Sequence, residues 1–271
     1  MERIAILTGG DSNEYEISLL SAKTVLKHLK KEKYIGTLVH LKDGNYTVKK
    51  NKINTKDFSY IEKNKHKKFD KVFIVIHGSP AEDGLIQEYF DKINLPYTSC
   101  NSVVSSLTFN KFKCNKELTK LGFKCAKSLL FNKNQIIKLN NIIEEIGLPC
   151  IVKPNKSGSS FGVSIAKGKK ELKTSINNAY KFDNEIIIER YIKGVEVSCG
   201  VFIKSNQIIT LPITEIVSKK DFFDYEAKYH GKASEITPAR ISHNLYLEIQ
   251  NISKKIFQKM KLKGVCRIDF I

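Results

Sequence analysis

Between Leu148 and Ser164 the chain reads Leu-Pro-Cys-Ile-Val-Lys-Pro-Asn-Lys-Ser-Gly-Ser-Ser-Phe-Gly-Val-Ser: an apolar run, a lysine, a polar loop and a second apolar run. Residues of these types at this spacing could hold a phosphate. Cys150 to Val152 form the first run and Pro154 closes it. Lys153 supplies a point charge at its end, and Gly158 and Gly162 let loop backbone N–H groups approach an anion. The segment is not a Walker loop. The Gly-x-x-x-x-Gly-Lys-Ser/Thr spacing is absent, and the loop runs into a strand where a Walker loop opens a helix. A Gly/Ser turn between two strands is also a plain hairpin, and on these residues alone both readings stand.

A chain of 271 residues with 41% hydrophobic residues can bury a sizeable core, and its length suggests about two compact units. The formal net charge of +18 raises the question of a nucleic-acid partner. The sequence argues against one. Nearly all the positive charge is lysine spread along every segment, and the only arginines are Arg3, Arg190, Arg240 and Arg267, whereas base and phosphate recognition favours the arginine fork. The dense run Lys63 to Lys68 is expected to be a solvated loop. No stretch approaches the roughly 20 continuous apolar residues of a membrane span, and the first residues, Met1-Glu-Arg-Ile-Ala-Ile-Leu-Thr8, read as a strand without a signal-peptide cleavage pattern. The expected location is therefore the cytoplasm, with no membrane partner. The six cysteines, at 100, 114, 125, 150, 199 and 266, form no Cys-x-x-Cys pair, so buried free thiols are expected in place of zinc ligands or disulfides.

The elements that must position Lys153 alternate between strand and helix patterns, as a parallel sheet with crossover helices requires. Strands are expected at 3–7, 39–41, 71–76 and 95–98, with helices at 16–29 and 85–91, which completes a first α/β unit near residue 99. A helix over 103–121, a strand at 126–131, a helix over 136–146 and the lysine-bearing hairpin follow. Then come a helix over 171–180, an apolar strand at 185–192, a hairpin over 196–216 and a long polar loop over 218–240. A helix over 245–260 and a strand over 264–271 complete the pattern.

Several strings in this order carry a resemblance. They are Leu7-Thr-Gly-Gly-Asp-Ser-Asn-Glu-Tyr-Glu-Ile-Ser18, Ile76-His-Gly-Ser-Pro-Ala-Glu-Asp-Gly84, the Leu148 to Ser164 segment, Ile187-Ile-Glu-Arg-Tyr-Ile192, Phe223-Asp-Tyr-Glu-Ala-Lys-Tyr229 and Arg267-Ile-Asp269. Each is weak alone, but together, over the full length, the chain resembles the ATP-grasp ligases and, among them, the D-alanine–D-alanine ligase family. The resemblance implies an α/β protein with an ATP-grasp fold preceded by an N-terminal Rossmann-like α/β subdomain. Its divisions would be a substrate-binding subdomain over 1–99 and two ATP-grasp subdomains over 100–193 and 194–271. The implied activity is ATP-dependent joining of two D-alanines, through an acyl phosphate, for peptidoglycan and cell-wall synthesis. The alternatives are another ATP-grasp carboxylate–amine ligase, a D-alanine–D-lactate type enzyme, or a nucleotide-binding remnant without catalysis. A homodimer and Mg2+ (or Mn2+) are implied as well.

The resemblance also assigns residues. Lys111, Lys153 and Lys228 fall at the phosphate-contacting lysines, Glu189, Arg190, Tyr191 and Ile192 at the adenine edge, and Glu196 at the ribose. Phe222 is placed against the nucleotide, and Glu14 and His77 are placed at the first D-alanine. Ser159 and Tyr229 would complete a network with Glu14 beneath a lid over 222–240, with Ser159 also at the ATP. Arg267 would face substrate and stabilise the tetrahedral intermediate. Two departures from the family pattern stand out. Phe223 replaces a tyrosine of the lid, and Asp269 lacks the Glu-x-Asn set expected on a following strand, which implies a weakened metal site and a chain shortened at its C-terminal side.

Overall fold

A computed structural model describes residues 1–218 and 233–271, and it divides into two compact units, Met1–Ser106 and Leu107–Ile271. The first unit runs β1 (Glu2–Gly9), α1 (Tyr15–His28), β2 (Tyr34–Lys42), β3 (Asn45–Val48), β4 (Asn51–Lys52), β5 (Tyr60–Glu62), β6 (Lys65–Lys67), β7 (Lys71–Ile74) and α2 (Leu85–Lys92). The next helix, α3 (Ser102–Phe109), contains the division between the units. β1 is apolar through Ile4, Ala5, Ile6 and Leu7 and buried on both faces, as a central parallel strand must be. It lies parallel to β2 on one side and β7 on the other, in the order β4-β3-β2-β1-β7. One face carries α1, whose Ala22, Val25 and Leu26 pack on Ile4 and Ile6. The other carries an aromatic core around Phe58, Phe69, Tyr46 and Phe90.

Two features of this unit depart from expectation. The lysine run is not a loop but the β5–β6 hairpin, in which Lys63 and Asn64 take φ 49 and 59 in a tight turn. The predicted strand near Leu95 is reduced to an isolated parallel bridge between Tyr97 and Val72.

The second unit runs α4 (Lys111–Lys120), β8 (Ser128–Asn132), α5 (Leu139–Ile146), β9 (Cys150–Pro154), β10 (Ser164–Ala166), α6 (Lys169–Ala179), β11 (Glu185–Arg190), β12 (Glu196–Lys204), β13 (Gln207–Thr210), β14 (Thr214–Ser218), β15 (Ala233–Ile236), α7 (His243–Lys259) and β16 (Val265–Phe270). The helix expected over 103–121 is broken. Asn110 accepts from the Lys113 amide at 3.0 Å and caps a new helix, a competition with the helical backbone that asparagine favours. The strand pairing also differs from a parallel pattern. Every pairing described in this unit is antiparallel, in one sheet ordered β10-β9-β11-β8 and a second built on β12.

Alternation along each strand gives both sheets two unlike faces. In β9, Cys150 and Val152 turn into a core with Ile142 and Ile146 of α5 and Leu172 and Ile176 of α6, which leaves Ile151 and Lys153 on the opposite face. In β12, Val197, Cys199 and Val201 are buried, and α7 packs on this strand and β13. Among the described residues no helix is long and apolar enough to cross a membrane. The cysteines are free, with Cys100, Cys150 and Cys199 buried and the other three half-buried, a partial departure from the buried thiols expected. Burial pushes the Cys114 and Cys150 thiols up to about 11.

Candidate active site

The faces left free by this alternation border one cleft of about 730 Å³ in the second unit. The first sheet contributes Ile151, Lys153 and Glu189, the β9–β10 loop contributes Ser157 to Phe161, and β12 and β16 contribute Glu196, Arg267 and Asp269. Antiparallel register explains the grouping. Lys153 lies across from Ile187, two residues from Glu189 on the same face of β11. Asp269 and Arg267 lie across from Ser198 and Gly200, on the same face of β12 as Glu196.

Charge inside the cleft is paired. The Lys153 ammonium meets Glu189 Oε2 at 2.5 Å, and Glu189 as a residue is 7% exposed. Lys111 donates to the Ser157 carbonyl at 2.6 Å and the Asn155 carbonyl at 3.4 Å, which ties the first turn of α4 to the root of the glycine-serine loop. Within the loop Ser159 and Ser160 adopt φ 48 and 59, the left-handed region, in a tight turn that the Phe161 amide closes on the Gly158 carbonyl at 3.2 Å. Arg190 is turned aside, its Nε donating to the Ile146 carbonyl at the carboxyl end of α5, where a cation is favoured. Tyr191 and Ile192 line the cleft beyond it.

Arg267 and Asp269 form a two-pronged ion pair, Nε to Oδ1 at 2.8 Å and Nη2 to Oδ2 at 3.1 Å. Burial works against the charged guanidinium, yet Asp269, with Glu235 and Glu196 behind it, holds its pKa above the ordinary value. The chemistry of this donor set does not fit a magnesium ion on its own. Among the described residues no three His, Cys, Asp or Glu side chains come together as a metal cage, and both Asp269 oxygens already accept from Arg267.

In the first unit, Glu14 and His77 come together at the carboxyl ends of β1 and β7, where parallel sheets bind ligands. Ser12 links them, accepting from the Glu14 amide at 3.1 Å and donating to the His77 carbonyl at 2.7 Å. Ser21 Oγ meets His77 Nε2 at 3.0 Å and Ser18 Oγ accepts from the His77 amide at 3.0 Å, so the ring is fixed from α1. Gly78, at φ 76, leaves the room this needs: a Cβ there would stand 2.9 Å from that of Ser12 and 3.6 Å from the Glu14 carboxylate.

The structure thus brings Lys111, Lys153, Ser159, Glu189, Arg190, Tyr191, Ile192, Glu196, Arg267 and Asp269 to one cleft, and Glu14 and His77 to one sheet end. Phe222, Phe223, Lys228 and Tyr229 lie outside the described residues. Sequence reasoning missed Asn115, which donates to Glu189 Oε1 at 2.8 Å, and Asn155, whose amide bridges the Phe112 N–H and Glu185 at 3.0 Å each. It also missed Ser12, Ser18 and Ser21. Asn110 had a readable signal, an N-cap residue just before a lysine-rich helix, whereas the others depend on contacts remote in sequence.

Two antiparallel sheets bordering a lysine-bearing cleft, preceded in the chain by an α/β unit whose central strands are parallel, define an ATP-grasp protein. Residues 3–100 match the family model for the D-ala D-ala ligase N-terminus and residues 116–271 that for the D-ala D-ala ligase C-terminus. The D-alanine–D-alanine ligase of Flavobacterium johnsoniae is 48% identical, covering 100% of this chain and 85% of that protein. Among solved structures, the VanG D-Ala:D-Ser ligase of Enterococcus faecalis is similar with a TM-score of 0.85 at 29% identity, over 99% of this chain and 85% of that one. The D-alanine–D-alanine ligase of Bacillus anthracis complexed with ATP is similar with a TM-score of 0.79 at 25% identity, over 99% of this chain and 81% of that one. The chain belongs to the D-alanine–D-alanine ligase family.

Proposed function

We propose that the protein binds ATP in the second-unit cleft and joins two D-alanines to D-alanyl-D-alanine, a precursor for peptidoglycan. The observation that carries this reading is the convergence of Lys111, Lys153 and the Ser157 to Phe161 loop on one wall, with Glu196 among the residues opposite. A carboxylate is a poor electrophile at neutral pH, so it must first be activated. One oxygen of the first D-alanine attacks the γ-phosphorus, the bond to the β-phosphate oxygen breaks, and ADP leaves. The amine of the second D-alanine then attacks the acyl carbon, loses a proton, and expels phosphate with the activating oxygen.

Each group has a task in that sequence. Lys111 and Lys153 offset the charge of the phosphates, and the glycine-serine loop from Ser157 to Phe161 covers them with backbone donors. The strand end from Glu189 to Ile192 takes the adenine edge, and Glu196 accepts from the ribose hydroxyls. Glu14 pairs with the ammonium of the first D-alanine and His77 lies beside it. Arg267, held in plane by Asp269, offsets the charge on the tetrahedral intermediate. The 100–193 and 194–271 segments act as the two lobes of the nucleotide site, and the active form is a homodimer. Magnesium or manganese would share the triphosphate charge, but among the described residues no three acidic side chains come together to hold it, and Asp269 is already paired with Arg267.

The likeness to a D-Ala:D-Ser ligase keeps a second acceptor in view. An acceptor panel decides between them. ADP release should require D-alanine alone and rise little when D-serine or D-lactate is added. Preferential use of either added acceptor would reassign the second substrate, and ADP release without any D-amino acid would contradict the ligase reading.

A further inference from the structure

Lys111 and Asn115 stand four positions apart on α4 and therefore share a face of it. Lys111 reaches the root of the phosphate-side loop, at the Ser157 carbonyl. Asn115 reaches the base-side strand end, donating through Nδ2 to Glu189 Oε1 at 2.8 Å. An ionised carboxylate can only accept, so the amide nitrogen of Asn115 faces Glu189. The second oxygen, Oε2, is taken by the Lys153 ammonium at 2.5 Å. Glu189 is thus held from two sides in a wall where it is 7% exposed, and each holder comes from a different element.

We propose that Asn115 is a positioning residue that sets the preference of the base site for a 6-amino purine, acting through Glu189. The inference rests on the ATP reading above. A nucleotide's phosphates draw the Lys153 ammonium toward themselves, and Oε2 then needs a new donor. The 6-amino group of adenine is a donor, whereas the 6-oxo group of hypoxanthine is an acceptor that a carboxylate repels. The discrimination works only if the carboxylate stays where it is when Lys153 moves, and Asn115 supplies the contact that does not depend on the lysine. Without that contact Glu189 is free to turn after Lys153, and the base edge loses its acceptor.

The test compares dissociation constants of ATP and inosine triphosphate, which differ at the 6-substituent and in the proton that the 6-oxo base carries on N1, by calorimetry on wild type, Asn115→Leu and Asn115→Gln. Hydrogen bonds to charged groups support a wild-type preference for ATP of roughly tenfold or more. Asn115→Leu should remove most of that ratio by weakening ATP, with inosine triphosphate changed by less than about twofold, and Asn115→Gln, which keeps a donor, should restore part of it. A ratio preserved in Asn115→Leu, or both nucleotides weakened in parallel, would overturn the proposal. If Asn115→Leu does not fold, Asn115→Asp carries the test: a carboxylate facing Glu189 must collapse the ratio, and an unchanged ratio overturns the idea. Wild type that binds both nucleotides equally overturns this inference and leaves the ATP reading intact. Wild type that binds neither overturns both.

Discussion

Lys153 combines a charge for the cleft with a partner for a carboxylate that is almost out of water. A charge-assisted contact to phosphate is worth about 1.5–3 kcal/mol, so Lys153→Ala should weaken ATP binding by at least tenfold. Lys67→Ala, which removes a lysine paired at 3.7 Å with Glu62 on the β5–β6 hairpin, should leave it within about twofold. Titration of nucleotide into the two variants checks this, and equal losses would mean that the chain's positive charge acts without a site. Lys153 was legible in the sequence because a strand, a lysine, a proline and a glycine-serine loop follow one another along the chain. Asn115 and Ser21 were not. Each sits on a helix with no spacing signature, and its task exists only once Glu189, 74 residues away, or His77, 56 residues away, is folded against it.

Among the elements, β14 shows how a loop is fastened beside the cleft. Glu215 accepts two contacts from the Arg240 guanidinium, at 2.7 and 2.9 Å, and a third from its amide at 3.1 Å, which anchors the chain after β15 to β14. The guanidinium holds the Glu215 carboxyl down to about 2 from an ordinary 4.5. A carboxyl depressed in the folded state contributes stability that is present above its unfolded value and lost as pH falls toward the folded one. Arg240→Gln should therefore lower the thermal midpoint by a constant amount above about pH 5, and the gap to wild type should narrow steadily as the pH is lowered toward 3. A gap unchanged between pH 6 and 3 would show that the pair is not what fastens the loop. Most elements of the site were predicted correctly in kind, since β9, β11 and β12 carry apolar runs of strand length. The β2–β3 hairpin was missed although Asp43-Gly44, with φ 48 and 71, is a strong short-range hairpin signal. The β5–β6 turn gave no such signal, because Lys63-Asn64 adopts the same positive angles without a glycine.

At the scale of the molecule, the lysines are dispersed along the sequence, and Lys49, Lys68, Lys71, Lys92 and Lys127 form surface pairs with Glu62, Asp57, Glu2, Glu88 and Glu145. In the first unit the three strands β2, β1 and β7 pair in parallel, as alternating strand and helix patterns announce, with β3 and β4 added antiparallel at one edge, but the second unit has antiparallel sheets from a similar-looking pattern. Pairing direction is decided by which strands meet, and β12 meets β16 across some sixty residues that include a helix, so local pattern could not reveal it. The chain spans 85% of the length of its Flavobacterium relative, and the residues of both proposed substrate sites fall within it.

The central claim, that the cleft serves an acyl-phosphate ligase, is tested most directly by following one oxygen atom. D-alanine labelled with 18O in its carboxylate should, in the presence of ATP, yield D-alanyl-D-alanine and inorganic phosphate in equal amounts. Each phosphate should carry one labelled oxygen transferred from the carboxylate that was activated. Dipeptide formed with unlabelled phosphate would show that the carboxylate never attacked the γ-phosphorus, and would contradict the account.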